Sequence, residues 1–344
     1  MAGTSEPPAL LPVRLRPAWW HHGMPQTQTA YVAVAFAALI VVVWILAPVF
    51  MTPRNLLNIS KNFSFIGLMS LGETLVIISG GIDLSVGSVC ALSAVAMMML
   101  MRFFSATAAA QVPGATIALA ALLALTLAGL IGLVNGLLIA RIRLSPFVTT
   151  LGMLSVARGM TYVLTQGRAQ YPTGPDVAGF TRFANGAVLG LPTQLVYLLV
   201  LAVLMALALR HLVWGRHLYA VGGNAQAAAL TGVRVPRVVV SVYVLSGLAA
   251  GFSGVLIAGW LGAAPANLAT GYELRVIAAA VIGGANLAGG VGGAAGAVIG
   301  AALIEVIRNG FVLIGANTYW EEVFVGVIII IAVLVDQLRT RRVF

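Results

Sequence analysis

Charged residues are scarce in this chain. They make up 8% of its 344 residues, whereas 60% are hydrophobic and the mean hydropathy is +1.03. A soluble domain is typically about one quarter charged, so this composition indicates a polytopic membrane protein. Cys90 is the only cysteine, which excludes an intramolecular disulfide, and no Cys/His cluster has metal-ligand spacing. We therefore expect no metal site, and we expect Cys90 to pack inside its apolar segment.

Lysine is almost absent, because Lys61 is the only lysine among 19 basic residues. A phosphate-binding loop of the GxxxxGK[ST] type needs a lysine that reaches the β and γ phosphates. No glycines precede Lys61 at that spacing, so the chain carries no ATPase of this kind. No nucleophile and base pair is indicated by spacing either, so we do not expect an enzyme acting alone.

The long apolar segments predict an all-α polytopic membrane protein with about ten transmembrane helices. A transmembrane domain is expected over residues 30–336, between a flexible, proline-broken basic tail at 1–29 and a short basic tail at 337–344. A polar turn is expected at 52–62 and an external loop at 166–192. The predicted spans are about 30–50, 63–79, 87–101, 116–140, 147–165, 193–209, 238–261, two segments between 276 and 314, and 323–335.

The basic residues predict the orientation of these spans. Ten crossings place both ends on one side, where eleven basic residues lie, against six on the other side. The positive-inside rule then makes both termini and the basic loop at 210–237 cytoplasmic. The formal charge of +10 is explained in this way without a nucleic acid partner.

Two glycine-led breaks interrupt the apolar pattern. Gly80-Gly81-Ile82-Asp83-Leu84-Ser85 and Gly283-Gly284-Ala285-Asn286-Leu287-Ala288 match 203 residues apart. Such a repeat suggests two related halves with broken or re-entrant segments, an arrangement common in transporters. Small residues beyond the second break follow the spacing that lets membrane helices approach closely, and we assign them to helix packing. They are Gly289, Gly292, Gly296 and Gly300.

Carboxylates at membrane depth are candidate functional groups, because they are costly there. Asp83 has two interpretations that are compatible, a cap for a helix beginning at Leu84 and a group in a solute pathway. Glu73 has no evident local partner, whereas Glu305 and Arg308 are three residues apart and can pair. The candidates for a translocation pathway or broken-helix region are Glu73, Asp83, Ser85, Asn286, Glu305 and Asn309.

A short helix is predicted in the basic loop, over Gly222 to Val233. Asn224 can accept from backbone donors of the first turn, and Gly232 can take the left-handed conformation that ends a helix. The segment is too short to cross a bilayer, so it is expected to lie at the membrane surface. An ordinary capped loop helix and a helix that presses on another protein both fit.

Three motifs in order resemble one family. The first break, with the letters GGIDLSVGS, resembles the signature of the ribose-type sugar permeases of ABC importers. Arg216 to Asn224, followed by Thr231-Gly232-Val233, resembles that family's cytoplasmic coupling loop, and the second break resembles its repeat. The similarity covers about residues 55–336. The resemblance assigns to the ATPase-coupling loop Arg216, Gly222, Gly223, Asn224, Ala227, Ala228, Thr231, Gly232 and Arg234.

The resemblance implies a permease subunit in the bacterial inner membrane that forms the pathway for a monosaccharide or related small polar solute. It implies separate ABC ATPase subunits that hold ATP and Mg²⁺, a periplasmic solute-binding protein, and a second permease subunit in a homodimer or heterodimer. Arg216, Arg234 and Arg237 would anchor the basic loop to phospholipid or to the ATPase. An ion-coupled secondary transporter or passive facilitator using Asp83, Glu73 and Glu305 is the alternative, and a need for an ATPase partner would discriminate the two.

Overall fold

The computed structural model describes residues 24–315 and the single positions 317, 320, 323, 326, 327 and 330, with side chains from residue 32 onwards. The predicted tails 1–29 and 337–344 and the predicted last span 323–335 lie mostly or wholly outside the described residues. Within the described residues, the secondary-structure elements are helices except for one hairpin. The helices are α1 Met24–Leu46, α2 Pro53–Ile78, α3 Val86–Ser105, α4 Ala115–Ala140, α5 Pro146–Thr165, α6 Val177–Asn185, α7 Thr193–His211, α8 Val213–Gly223, α9 Ala225–Leu230, α10 Val235–Leu261, α11 Tyr272–Ile282 and α12 Ala294–Leu313.

Seven of these helices are long and apolar enough to cross a membrane, namely α2, α3, α4, α5, α7, α10 and α12. The apolar stretch Val32–Leu46 of α1 is shorter, and α11 has 11 residues, or about 16 Å of helix. The protein is therefore a multi-pass membrane protein.

The α2 helix begins earlier than the sequence suggests. The polar turn predicted at 52–62 is wrong, because α2 starts at Pro53, directly after extended Thr52. Proline suits the first turn of a helix, where no backbone N–H is needed. The polar side chains that suggested a turn instead lie on the first turns of α2, where Asn55 bonds to α12 and Lys61 donates to Asn185 Oδ1 at 3.0 Å.

The predicted loop at 166–192 also contains more order than expected. It holds α6 and a two-stranded antiparallel hairpin, β1 Ala187–Val188 and β2 Leu191–Pro192, in which Ala187 pairs with Pro192. Among the described residues, the departures from an all-α fold are this hairpin and an isolated bridge between Gln170 and Ala264. Asp176 joins the start of α6 to α4 by accepting from Gly114 N and from the Thr116 side chain and N–H. These hydrogen bonds lower the pKa of Asp176, and the bond from the Thr116 side chain has the largest effect.

The core is built where α10 packs against α2, α3 and α4. The contact face of α4 carries small buried residues every four positions, so the backbones of α4 and α10 come close together. A methyl group at Gly132 would overlap the carbonyl oxygen of Tyr243, and one at Gly247 would overlap that of Ala128. Cys90 is buried in the same core, as expected from its apolar segment. The small residues in register on α4 are Ala120, Ala124, Ala128, Gly132 and Gly136.

Candidate functional site

The first break, defined here as residues 79–85 between α2 and α3, ends α2 in a Schellman motif. Gly80 has φ +83°, its N–H donates to Ile77 O at 2.9 Å, and Gly81 N–H donates to Val76 O at 3.0 Å. Asp83 then accepts from Ser85 N–H at 3.0 Å, which forms a second tight turn. Asp83 therefore does not cap a helix beginning at Leu84, because α3 begins at Val86 after Ser85.

A buried polar cluster surrounds this break. Asp83 is 1% exposed, and its two carboxylate oxygens accept from the hydroxyls of Ser85 and of Ser246 on α10 at 2.5 and 2.9 Å. Glu73 is 0% exposed and accepts from Asp83 N–H at 3.0 Å, so it has a partner that the sequence did not reveal. Asn135 on α4 donates to the Ser85 hydroxyl at 3.1 Å.

The cluster holds two carboxyl groups without a basic partner. Among the described residues, no arginine, lysine or histidine lies within salt-bridge distance of Glu73 or Asp83, and Glu73 Oε2 and Asn135 Oδ1 have no hydrogen-bond partner. Burying two negative charges beside each other would be very costly, so the pair would need a proton or a bound cation to offset one of the charges. The hydrogen bonds of this cluster tie α2, α4 and α10 to the first break.

The second break, defined here as residues 283–293 between α11 and α12, repeats both turns of the first. Gly284 has φ +101°, its N–H donates to Val281 O at 2.9 Å, and Ala285 N–H donates to Ala280 O at 3.0 Å. Asn286 Oδ1 accepts from Ala288 N–H at 2.7 Å, as Asp83 does from Ser85. The two Schellman motifs are 204 residues apart and the two Asx turns 203, so the break glycines match with a shift of one residue.

The basic loop at 210–237 consists mainly of helix. The predicted helix over Gly222 to Val233 is shorter than expected, because Gly222 and Gly223 end α8 and α9 covers only Ala225–Leu230. Asn224 Oδ1 accepts from Ala227 N–H at 2.9 Å at the start of α9, and Gly232 follows it with φ +88°. Thr231 donates to Ala228 O at 2.9 Å, and Ala228 is buried against α8 and α10. Arg216 and Arg234 lie on the exposed side of this region.

The end of α8 meets both breaks at one point. A methyl group at Gly222 would overlap the carbonyl oxygen of Ile78, the last residue of α2, whereas one at Gly223 would touch nothing within 4 Å. Ile78 O itself accepts from Gly290 N–H at 2.9 Å. The Tyr219 hydroxyl donates to Gly292 O at 2.7 Å, and burial raises the pKa of Tyr219, so this hydroxyl stays protonated. The end of α8 therefore contacts the chain at both breaks.

The four glycines assigned to helix packing divide into two pairs. Gly292 precedes α12 with φ +153°, so the four-residue spacing joins only Gly296 and Gly300 on one helix. A methyl group at Gly296 would overlap Gly283 O, and one at Gly300 would overlap Ala279 O, both at the end of α11. Gly289 instead faces Gly222 across the junction with α8.

Glu305 and Asn309 lie at the opposite end of α12 from the second break, so the predicted pathway residues do not form one site. Arg308 Nη1 donates to Glu305 Oε1 at 3.1 Å, as their spacing predicted. Asn309 and Asn55 exchange two hydrogen bonds of 2.9 Å. These residues line a polar cavity of about 410 Å³ together with Trp260.

The sequence did not predict a role for several residues that bond to the first break or join neighbouring segments. Ser246 donates to Asp83 and Tyr243 to Ile82 O, yet these residues of α10 lie 163 and 161 positions from their partners. Arg158, in the middle of α5, donates to Leu268 O at 2.7 Å. The regular four-residue spacing on α4 was the one sequence signal that could have identified the face bearing Asn135.

Comparisons of the sequence with known proteins identify the family of this chain. Residues 55–333 match the family described as the branched-chain amino acid transport system / permease component. The ribose import permease protein of Bacillus subtilis is 36% identical over 302 residues, which cover 88% of this chain and 90% of that protein. A probable ABC transporter permease of Sinorhizobium fredii is 39% identical over 312 residues, 90% of each chain.

A third relative also carries a sugar in its name. The galactose/methyl galactoside import permease protein of Escherichia coli is 35% identical over 316 residues, which cover 90% of this chain and 94% of that protein. No solved structure matches. The family match covers most of the chain, and these relatives align over nearly their whole length. The chain therefore belongs to the family of permease components of branched-chain amino acid transport systems, as a ribose-type ABC permease.

Proposed function

We propose that this chain is the transmembrane subunit of an ATP-driven importer for a monosaccharide or related small polar solute. The ribose and galactose permeases among the relatives support the solute class, and all three relatives support the transport class. The chain itself would be a transport subunit rather than an enzyme, with ATP and Mg²⁺ on separate ATPase subunits. A solute-binding protein would deliver the solute, and a second permease chain would complete the pathway.

The contact of α8 with both breaks supports the proposed mechanism. In this mechanism, α9 is the coupling helix on which an ATPase subunit docks, and α8 transmits the displacement of α9. Gly222 presses on Ile78 at the first break, while Gly290 N–H bonds to the same carbonyl from the second break. Closure of the ATPase pair would thus shift the two breaks together and switch the pathway between its two openings.

The proposed topology completes the seven described spans to ten. The segment from Ala264 to Gly290 crosses in our proposal, because Ala264 pairs with Gln170 beyond α5 and Gly290 contacts α8 at the other end of the bundle. The other two additions would be α1 and the segment 323–335. The protein would lie in the bacterial inner membrane with both termini and the α8–α9 segment on the cytoplasmic side. The arginines of the basic loop agree with this orientation. The matching turns of the two breaks support two related halves.

Gly222→Ala tests the coupling role, with Gly223→Ala as its matched control. The added methyl must displace backbone at Ile78, which costs about 1–3 kcal/mol, so we expect solute uptake to fall about tenfold or more. The same methyl at Gly223 meets open space, and uptake should stay unchanged. The measurement is ATP-dependent uptake by the complete transporter in proteoliposomes, together with its ATPase rate.

The outcomes separate coupling from damage to the fold. Loss of uptake with continued ATP hydrolysis and normal amounts of assembled complex supports the proposed role of α8. Equal uptake by the two variants would contradict it. Uptake without any ATPase chain, driven by an ion gradient, would favour the alternative of a secondary transporter in which the carboxyl pair Glu73 and Asp83 carries the coupling proton.

A further inference from the structure

Two cavities meet at Trp214, the second residue of α8, and only one of them has basic residues in its wall. The first is an apolar groove of about 540 Å³, which lies between α7 on one side and α4 and α10 on the other, over α2. It is lined mainly by leucines, such as Leu71, Leu204 and Leu248. On α2 it extends from Leu68 to Leu75, which is about 10 Å along the helix axis. All four helices are membrane spans, so the groove lies at membrane depth.

The second cavity is a basic pocket of about 380 Å³ beside the α8–α9 segment. It is lined by His217, Arg234, Arg237 and Ser241, with Trp214 shared between the two cavities. The Trp214 indole Nε1 donates to Ser241 Oγ at 2.8 Å, which holds the ring between groove and pocket. Among the described residues, no carboxylate lies within salt-bridge distance of either arginine. The pocket therefore has a mainly apolar wall, and the exposed Arg234 and Arg237 at that wall carry positive charge that no described carboxylate offsets.

The combination identifies the occupant by its chemistry. A leucine-lined groove within the membrane takes hydrocarbon, and a protein partner outside the bilayer cannot reach it. A basic pocket directly at the end of such a groove takes a negative headgroup, and tryptophan is typical of the depth between them. An ATPase subunit could pair with the arginines, but it would leave the groove unexplained. An amphiphile with an anionic head satisfies both cavities, whereas an apolar helix of a second permease chain would fill the groove and leave Arg234 and Arg237 without a negative partner.

We propose that this joined cavity is a binding site for an anionic phospholipid, with an acyl chain in the groove and the phosphate against Arg234, Arg237 and His217. The lipid would lie in the leaflet that faces α8 and α9, which is the cytoplasmic leaflet in the orientation given above. Arg234 follows α9 by four residues, and Gly232, at the end of α9, lines the pocket. A bound lipid would thus hold the α8–α9 segment against the bilayer. The site stands independently of the transported solute.

Native mass spectrometry of the purified permease with added dioleoyl-phosphatidylglycerol tests the site, with dioleoyl-phosphatidylcholine as the neutral probe. Each arginine near an anionic headgroup is worth about 1 kcal/mol, so Arg234→Gln with Arg237→Gln should weaken phosphatidylglycerol retention about 25-fold. Arg234→Lys with Arg237→Lys should restore most of it. The control pair is Arg141→Gln with Arg143→Gln, arginines between α4 and α5 outside both cavities, and retention should stay unchanged.

Leu204→Trp fills the groove and tests the acyl chain separately. We expect it to lower retention of both lipids while leaving the basic pocket in place. An equal loss in the control pair would mean general attraction to basic residues and would overturn the proposal. Undiminished retention in Leu204→Trp would also overturn it. If the Gln pair keeps phosphatidylglycerol but loses its ATPase partner on purification, the arginines form an ATPase contact instead of a lipid site. A monodisperse elution profile is required of every variant.

Discussion

The two breaks share their turns but are held in place by different physics. Each begins with a Schellman motif and continues with a side-chain oxygen that accepts from the N–H two residues on. The first break has seven residues, and its acid, Asp83, is buried among hydroxyls from its own turn and from α10. The second has eleven residues, and its Asn286 is partly exposed.

The extra residues of the second break explain this difference. They form a glycine-rich loop whose backbone contacts α8, Ile78 and the Tyr219 hydroxyl. The first break is thus held by side chains inside the protein, whereas the second is held by close approach of backbones at its surface. Similar local sequence can therefore be held either by buried side-chain hydrogen bonds or by backbone contacts, depending on what packs around it.

The largest effect should come from removing the acid of the first break. Asp83→Ala leaves three buried donors on Ser85 and Ser246 without an acceptor, at about 1–2 kcal/mol each, so we expect a loss of about 3–6 kcal/mol of stability. Asn286→Ala removes one exposed bond and should cost about 0.5–1.5 kcal/mol. Thermal and denaturant unfolding in detergent measures both, and equal losses would show that the breaks are held alike.

An intermediate effect is expected where backbones meet beside the second break. In Gly300→Ala the methyl overlaps Ala279 O, and the gain in helix propensity offsets part of that cost, so a net loss of about 1–2 kcal/mol is expected. Gly293→Ala is the control, since its backbone is extended and its methyl would touch nothing within 4 Å. The comparison uses the same unfolding assay, and a Gly300→Ala protein as stable as the control would argue against close approach.

The smallest effect is expected for the bond between α8 and the second break. Tyr219→Phe removes the hydrogen bond to Gly292 O and should cost about 0.5–1.5 kcal/mol and reduce uptake per ATP hydrolysed. Because burial raises the pKa of Tyr219, this contribution is fully present below the usual tyrosine pKa of about 10 and is lost as pH rises beyond the raised value. Tyr197→Phe loses a comparable bond to Phe183 O far from either break, and its coupling should be unchanged.

The helix ends show how far local sequence carries. The glycines of both breaks, Asn224 and Gly232 all take conformations that their residue types favour within one or two turns of chain. Pro53 was equally local, yet the polar residues after it suggested a turn. That error arose because Asn55 and Lys61 satisfy their side chains on distant partners, Asn309 and Asn185, which a local pattern cannot reveal.

By itself the sequence determined that the protein resides in a membrane, where two apolar segments break, that Asn224 and Gly232 lie at the ends of the loop helix, and which family the chain resembles. These properties depend on composition and on backbone sterics between near neighbours. Only the tertiary structure decided that Glu73 meets Asp83, that Ser246 closes their cluster, and that Gly222 reaches both breaks. Those contacts join residues up to 163 positions apart, and the packing of whole helices sets them, because chain separation carries no information about distance once the helices are packed.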